Sequence, residues 1–390
     1  MGFKRKKSIV IWCFLLIKLS FFLFFLFFSV QIFVVSSQEN YKIWSKKSIS
    51  EKSSVLKVDR SSVPNEYSVY DLDINTLKNT LKSAPKRNGK LNTSNIVLSF
   101  PNGDGEFEKY EIFEVPIMEE GLQKIYPNIR SYIGKGVGNS NATIRFSITA
   151  SGLNAMTFQN SKETTFIDPY TKNKESYLVY KKTALPAPEE AFICKFDDFN
   201  SKANLTTTNL SLKDDNADDG VLRTFRLAVA TTGEYSQFHL NYQGIDVLET
   251  DEVKKAAVLS AIVTTMTRVN GIFERDVALT MVLVEKNTDI IFLDGVIDNF
   301  TNDDSQELIN ESQTVINSTI GTNNFDIGHT FSTGGGGLAQ LNSPCTFTGK
   351  ARGITGSSNP IGDSYDIDYV SHEMGHQYGA RHTFNAESGG

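Results

Sequence analysis

From residue 92 to about residue 182, apolar and polar side chains alternate with a period of two, the repeat of a half-buried β-strand. Residues 96–100 and 107–113 flank Pro101-Asn102-Gly103-Asp104-Gly105, a turn sequence that predicts a hairpin. Thr143–Thr149 sets Ile144, Phe146 and Ile148 on one face and Arg145, Ser147 and Thr149 on the other. Ser151-Gly152 then turns the chain into residues 153–158, and residues 165–167 and 177–180 read as further strands. The pattern stops at Pro186-Ala187-Pro188-Glu189-Glu190. Residues 200–220, rich in Asn, Thr, Asp and Ser, read as an exposed linker.

Beyond that point the period changes repeatedly. Residues 223–230 read as a strand. Thr250 is placed to cap a helix whose first turn holds Asp251 and Glu252, where carboxylates suit the dipole. Leu259, Ile262, Met266, Val269 and Phe273 follow at helical spacing. Residues 277–284 form a continuous apolar run, as expected of a central strand. A second helix starts near Asp304, with Glu307 three residues on, and runs through Leu308, Ile316 and Ile320 to a stop at Gly321. Residues 327–333 read as a short edge strand. They lead into the glycine run 334–337, expected to be a mobile rim. This order predicts an α+β chain: a β-rich N-terminal domain, then a mixed sheet with two long helices packed on it and one last helix.

The N-terminus adds an address. Lys4, Arg5, Lys6 and Lys7 precede an apolar run from residue 9 to 35, broken once by Lys18, and Ser36-Ser37 suits cleavage before Gln38. Residues 1–37 therefore read as a secretory signal peptide, with a retained signal anchor as the alternative because residues 19–35 nearly span a bilayer. Either reading exports the rest. Net charge is −6, unevenly spread: residues 221–390 hold 10 Lys and Arg against 21 Asp and Glu, so that half is strongly acidic. An acidic surface repels phosphate backbones, which argues against a nucleic-acid partner. Three cysteines, Cys13, Cys194 and Cys345, are too few for a disulfide scaffold and have no zinc-site spacing.

The candidate chemistry lies in His372-Glu373-Met374-Gly375-His376-Gln377-Tyr378-Gly379-Ala380-Arg381-His382. On a helix, His372 and His376 project side by side toward one ion. Catalytic zinc takes three protein ligands and keeps one position open. Gly379 can take the left-handed conformation that ends a helix and returns His382 to the metal. Glu373 points off the histidine azimuth, toward the open position, where it can act as general base on a water. Two core histidines with a third in a loop would be the plain alternative. Three of the five histidines in the chain fall within these eleven residues, which disfavours it.

With these residues the chain resembles the metzincin zinc peptidases, and specifically a bacterial reprolysin (adamalysin)-like metallopeptidase. The resemblance extends to Asp326-Ile327-Gly328-His329-Thr330-Phe331-Ser332-Thr333 and the glycine run, to Lys350-Ala351-Arg352-Gly353, and to residues 365–371. More weakly, Thr165-Phe166-Ile167-Asp168-Pro169-Tyr170 through residues 177–180 looks like the end of a reprolysin propeptide. The resemblance implies a propeptide-like domain over 38–199, a linker over 200–220 and a metallopeptidase domain from 221 to 390. It implies a zinc endopeptidase made as a zymogen and, with the leader, secreted, acting on protein or peptide substrates; it also implies that the edge strand 327–333 pairs with an extended peptide, an ordinary edge strand being the alternative. Two positions depart from the family: Thr383 stands where animal adamalysins usually carry Asp, and no Met-turn follows the motif, so the catalytic domain is expected to be C-terminally incomplete.

Several smaller readings stay open. Cys194 could take zinc's fourth position and silence a zymogen, remain a buried thiol, or bridge Cys345. His329 is expected to be packed rather than a ligand. The glycine run is no phosphate loop, since no Gly-Lys-Ser/Thr follows it. Asn141 and Asn204 stand in glycosylation sequons, in a background too rich in Asn, Ser and Thr for them to weigh. Calcium is compatible with the sequence, which assigns it no site. The competing functions are an exported binding or adhesion protein with a structural zinc, or an inactive fragment of a protease. Glu373 discriminates, since a structural site has no use for it.

Overall fold

The computed structural model describes residues 43–47, 56–60, 62–87, 93–139, 141–159, 162–187, 192–195 and 220–382. The leader, Asn204, the linker short of Gly220, and Thr383 lie outside the described residues.

The N-terminal half is one antiparallel sheet of nine strands. Along the chain they are β1 (Trp44–Lys47), β2 (Ser68–Leu72), β3 (Val97–Pro101), β4 (Phe107–Glu114), β5 (Arg130–Gly136), β6 (Thr143–Thr149), β7 (Gly152–Gln159), β8 (Lys162–Pro169) and β9 (Ser176–Lys181). Their spatial order is β1-β2-β9-β8-β7-β6-β5-β4-β3. The hairpin about residues 101–105 pairs Pro101 with Phe107. β1 and β2 join beside β9, earlier in the chain than the alternation signals, because each is only four or five residues long. Period two sorts the side chains onto two faces. One face, covered by α1 (Ile74–Leu81), holds Tyr70, Phe100, Tyr110, Phe146 and Tyr177. The other holds Val69, Met156, Phe158, Phe166 and Leu178, packed against Ile272 and Ile367 of the C-terminal half. A short α2 (Glu120–Ile125) follows β4.

The C-terminal half runs β10 (Arg223–Thr231), α3 (Gly233–Gln243), α4 (Asp251–Val277), β11 (Leu279–Leu283), α5 (Ser305–Ile320), β12 (Ile327–Ser332), β13 (Gly336–Ala339) and β14 (Gly353–Gly356). A π-helical stretch, Ser364–Ser371, leads into α6 (His372–Gln377). The sheet order is β11-β10-β12-β14-β13; the first four strands are parallel and β13 is antiparallel to β14. On one side pack α3, α4 and α6, through residues such as Tyr235, Ile262, Met266 and Met374; α5 covers the other through Leu308, Ile316 and Ile320. The chain is thus a mixed α/β protein. Caps set the helix ends: Thr250 Oγ1 accepts from the Val253 N–H at 3.4 Å, and Asp304 accepts from Gln306 N–H at 2.9 Å.

Helix α4 lies between the two sheets, which is why apolar and small residues occupy nearly its whole circumference. Among the described residues it alone is long and apolar enough to cross a bilayer, yet it is a core helix.

Two expectations need correction, and one helix goes unpredicted. The run 277–284 is not a central strand: α4 continues through Val277, and β11 stands at the sheet's edge. It reads as buried because residues 117–119 cover that edge. Leu283 N–H donates to the Ile117 carbonyl at 2.7 Å, and Glu119 N–H donates to the Leu283 carbonyl at 2.8 Å. Second, β12 is not an edge strand, since it pairs with β10 and β14. The edge is β13, whose first two residues, Gly336 and Gly337, end the glycine run, while Gly334 and Gly335 lie in the bend before it. The unpredicted helix is α3, which has no apolar stripe to betray it: its buried positions include Ser236 and His239 beside Tyr235 and Leu240.

Candidate metal centre

The three motif histidines converge. His372 and His376 stand one turn apart on α6, with their Nε2 atoms 3.0 Å apart. After Tyr378, Gly379 adopts φ +100°, a conformation open to glycine, and Ala380 N–H donates back to the Gly375 carbonyl at 2.9 Å. That turn sets His382 Nε2 at 3.1 Å from His376 Nε2 and 3.2 Å from His372 Nε2. His376 Nδ1 lies 2.7 Å from the Ala380 carbonyl. A carbonyl only accepts, so Nδ1 carries the proton and Nε2 turns a lone pair to the other two rings. Burial, with the two neighbouring imidazoles, pushes His372 down to about 4 and keeps it neutral.

A fourth donor comes from the N-terminal half. Cys194 Sγ lies 3.5 Å from His376 Nε2, and the four donor atoms fall within 4.8 Å of one another. Tetrahedral zinc with about 2.1 Å bonds separates its nitrogen ligands by about 3.4 Å, so the donor set and spacing fit that ion. Cys194 is held by strand pairing. Gly337 N–H donates to the Ile193 carbonyl at 3.0 Å and Lys195 N–H donates to the Gly337 carbonyl at 2.9 Å, so residues 193–195 lie parallel to β13. Phe192 stacks on Tyr369 at 4.1 Å and meets the His372 ring edge-on. No disulfide joins Cys194 to Cys345, which is exposed, so the bridge considered from sequence is absent.

Glu373 sits beside this cluster, fully buried. Burial pushes it up to about 8, an effect the Cys194 thiol partly offsets. Its space exists because residue 337 is glycine: a Cβ there would lie 2.4 Å from Glu373 Cγ.

Behind α6 a buried network fixes the helix from below. His329 Nδ1 meets Gln377 Oε1 at 2.8 Å and its Nε2 meets Thr355 Oγ1 at 2.9 Å; Gln377 Nε2 donates to the Gly328 carbonyl at 2.9 Å. His329 is therefore packed and is not in the histidine cluster. The sequence reading did not single out Gln377, Thr355 or Gly337. Gln377 carries one available signal, its place beside His376 on a helix whose outer turns face water.

Residues 259–383 match the family model of the reprolysin-like metallo-peptidases, family M12B. No curated protein matches the chain. The matched segment runs from within α4 to just past the third histidine, and over it the chain is similar to the reprolysin-like metallo-peptidases, a family of zinc-dependent peptidases.

Proposed function

We propose that this protein is an exported zinc endopeptidase made in a latent form, with the zinc held by His372, His376 and His382 and silenced by Cys194. The observation that carries this reading is the convergence of one thiol and three imidazoles from chain segments 182 residues apart. A structural zinc would leave Glu373 without purpose, which disfavours the adhesion-protein alternative.

A zinc ion bound there supplies Lewis acidity and makes a neighbouring water easier to deprotonate. The protein's own groups do the rest. Glu373 accepts the proton of the attacking water and delivers it to the leaving amine nitrogen. Once residues 193–195 leave, the Gly337 N–H and C=O that now pair with them can pair with an extended substrate. The N-terminal half therefore blocks both the metal's open position and the substrate strand. Removing it, by cleavage in the 200–220 linker, uncovers both. The leader over 1–37 exports the precursor, or anchors it if it is not cleaved.

Two measurements test the assignment. Zinc content should approach one per chain in the parent protein and fall sharply in His372→Ala, His376→Ala and His382→Ala. Stoichiometric zinc in all three variants would sink it. Cys194→Ala should hydrolyse peptides without any cut in the N-terminal half. A thiol at position 194 that alkylates freely in the zinc-loaded precursor would instead leave steric blockage as the cause of latency.

A further inference from the structure

The segment that brings Cys194 to the histidines brings a second side chain with it. Residues 193–195 lie along β13, and side chains of an extended chain face alternate ways. Cys194 and Phe192 face α6. The thiol meets His376 Nε2 at 3.5 Å, and the Phe192 ring lies on Tyr369 with centroids 4.1 Å apart and planes 13° from parallel. Ile193 and Lys195 do otherwise: Ile193 is 62% exposed, and Lys195 Nζ donates to Ser305 Oγ at 2.8 Å.

The two rings that Phe192 touches form one surface. Tyr369 precedes His372 by three residues, and its carbonyl accepts the His372 N–H, so both side chains stand on the same helical turn. Phe192 meets His372 edge to face, with centroids 5.8 Å apart at 79°. Tyr369 is backed by the buried cluster that holds Val370 and Met374, which fixes it. Its outer side is half-exposed, as is His372, so the surface is open to a ligand once Phe192 moves away. A thiol on the metal would hold off water without any ring beside it. The ring instead fills a place that a replacing peptide must pass. An extended chain along β13 with one residue facing the metal carries the side chain two residues away to this surface, whichever way the chain runs.

We propose that Tyr369, with the face of His372 beside it, is an aromatic subsite: Phe192 fills it in the precursor, and an aromatic side chain of the substrate, about two residues from the bond that is cut, fills it afterwards. The substrate half of this statement rests on the peptidase function proposed above. The ring chemistry does not. One flat ring and one ring at right angles suit the stacked and edge-to-face contacts of Phe, Tyr or Trp better than an aliphatic side chain. Tyr369 is a specificity-determining residue and takes no part in the bond-breaking step.

Binding tests the surface without catalysis. N-acetylphenylalaninamide is titrated into the intact Phe192→Ala chain, where the place is vacated, and followed by nuclear magnetic resonance. Saturable binding is expected, about tenfold or more tighter than that of N-acetylalaninamide. The parent chain, whose own ring holds the place, should not bind it. Adding Tyr369→Leu, which keeps an apolar contact with the core, should abolish binding, and Tyr369→Phe should keep it. Equal binding of the two amides, or binding unchanged by Tyr369→Leu, overturns the proposal. Hydrolysis is then read in the intact Cys194→Ala/Phe192→Ala chain, with a peptide series in which one Phe is moved through an alanine background. One spacing from the cut should be preferred, and Tyr369→Leu should lower kcat/KM for that peptide about tenfold, toward the all-alanine value. Cleavage indifferent to the place of Phe overturns the substrate half. No hydrolysis of any peptide, with amide binding intact, sinks the peptidase reading and leaves the aromatic surface standing, so the two fail separately.

Discussion

A missing side chain decides where Glu373, the proposed general base, sits. Since a Cβ at residue 337 would press on Glu373, Gly337→Ala must either displace the carboxyl or push β13 outward. The expected cost is about 1–3 kcal/mol of stability, the usual range for overpacking. Peptide hydrolysis by the processed enzyme should fall while zinc is retained. Urea denaturation, metal analysis and a peptide assay read the three quantities; unchanged turnover would show that Glu373 has room to spare. Glu373→Ala makes the sharper comparison, since it should keep zinc and lose turnover by several orders of magnitude. Near-normal rates there would remove it from the role of base.

Among the elements, helix α4 provides the test. Thr250→Ala removes the side chain that accepts the Val253 N–H and should cost about 1 kcal/mol, visible as a lowered urea midpoint with zinc content unchanged. A shift within error would mean that packing between the sheets, not the cap, holds the helix end. Such end signals were legible in the sequence, because a cap or a glycine stop acts within three or four residues; Thr250, Asp304 and Gly321 each stand where the helices begin or end. The β6 strand was legible for the same reason, its alternation being local. Strand order was not. Whether residues 279–283 or 336–339 lie inside a sheet or at its edge depends on partners far along the chain, and no local pattern reports them. The candidate site divides in the same way. Three histidines within eleven residues could be read directly, whereas the place of Cys194 among them could only be raised as one option of three. Residues 192–195 carry no periodicity that points across 182 residues to His376.

The whole molecule is held across its waist by charge. Arg268, buried in α4, donates to Asp168 of β8 at 2.5 Å and to Asp366 at 2.9 Å, and Glu274 receives Arg87, from the connection between α1 and β3, and Arg145 of β6. Leaving a buried charge without its partner typically costs about 3–5 kcal/mol, so Asp168→Ala should be among the most damaging single changes. Acid should act on the same scale. Burial pushes His239 down to about 3 and His329 to about 4, so the unfolded chain takes up protons near pH 6.5 that the folded chain refuses. Stability from these two groups is complete above about pH 6.5 and drains away as pH falls toward 4. Asp363, raised to about 6 by burial, works in the opposite sense and returns part of it. Glu274, held near 2 chiefly by Arg145 against the cost of its burial, adds a further loss below about pH 4.5. Urea midpoints of the intact protein at pH 7, 5.5 and 4.5 should therefore decline in that order; a level series would mean that the buried imidazoles take protons in place.

The two ends of the five-stranded sheet have one thing in common. Residues 117–119 pair with β11 on one side and residues 193–195 pair with β13 on the other, and both segments belong to the N-terminal half. Once that half departs, two rows of backbone N–H and C=O groups lose their partners together. An open strand edge is a template for another chain. If the N-terminal half is removed as proposed, the remaining half should be prone to self-association that the intact chain resists, and an extended peptide along β13 should act as a solubilising agent. Light scattering of processed protein against concentration, with and without an extended peptide, would show aggregates that the peptide dissolves from one edge only.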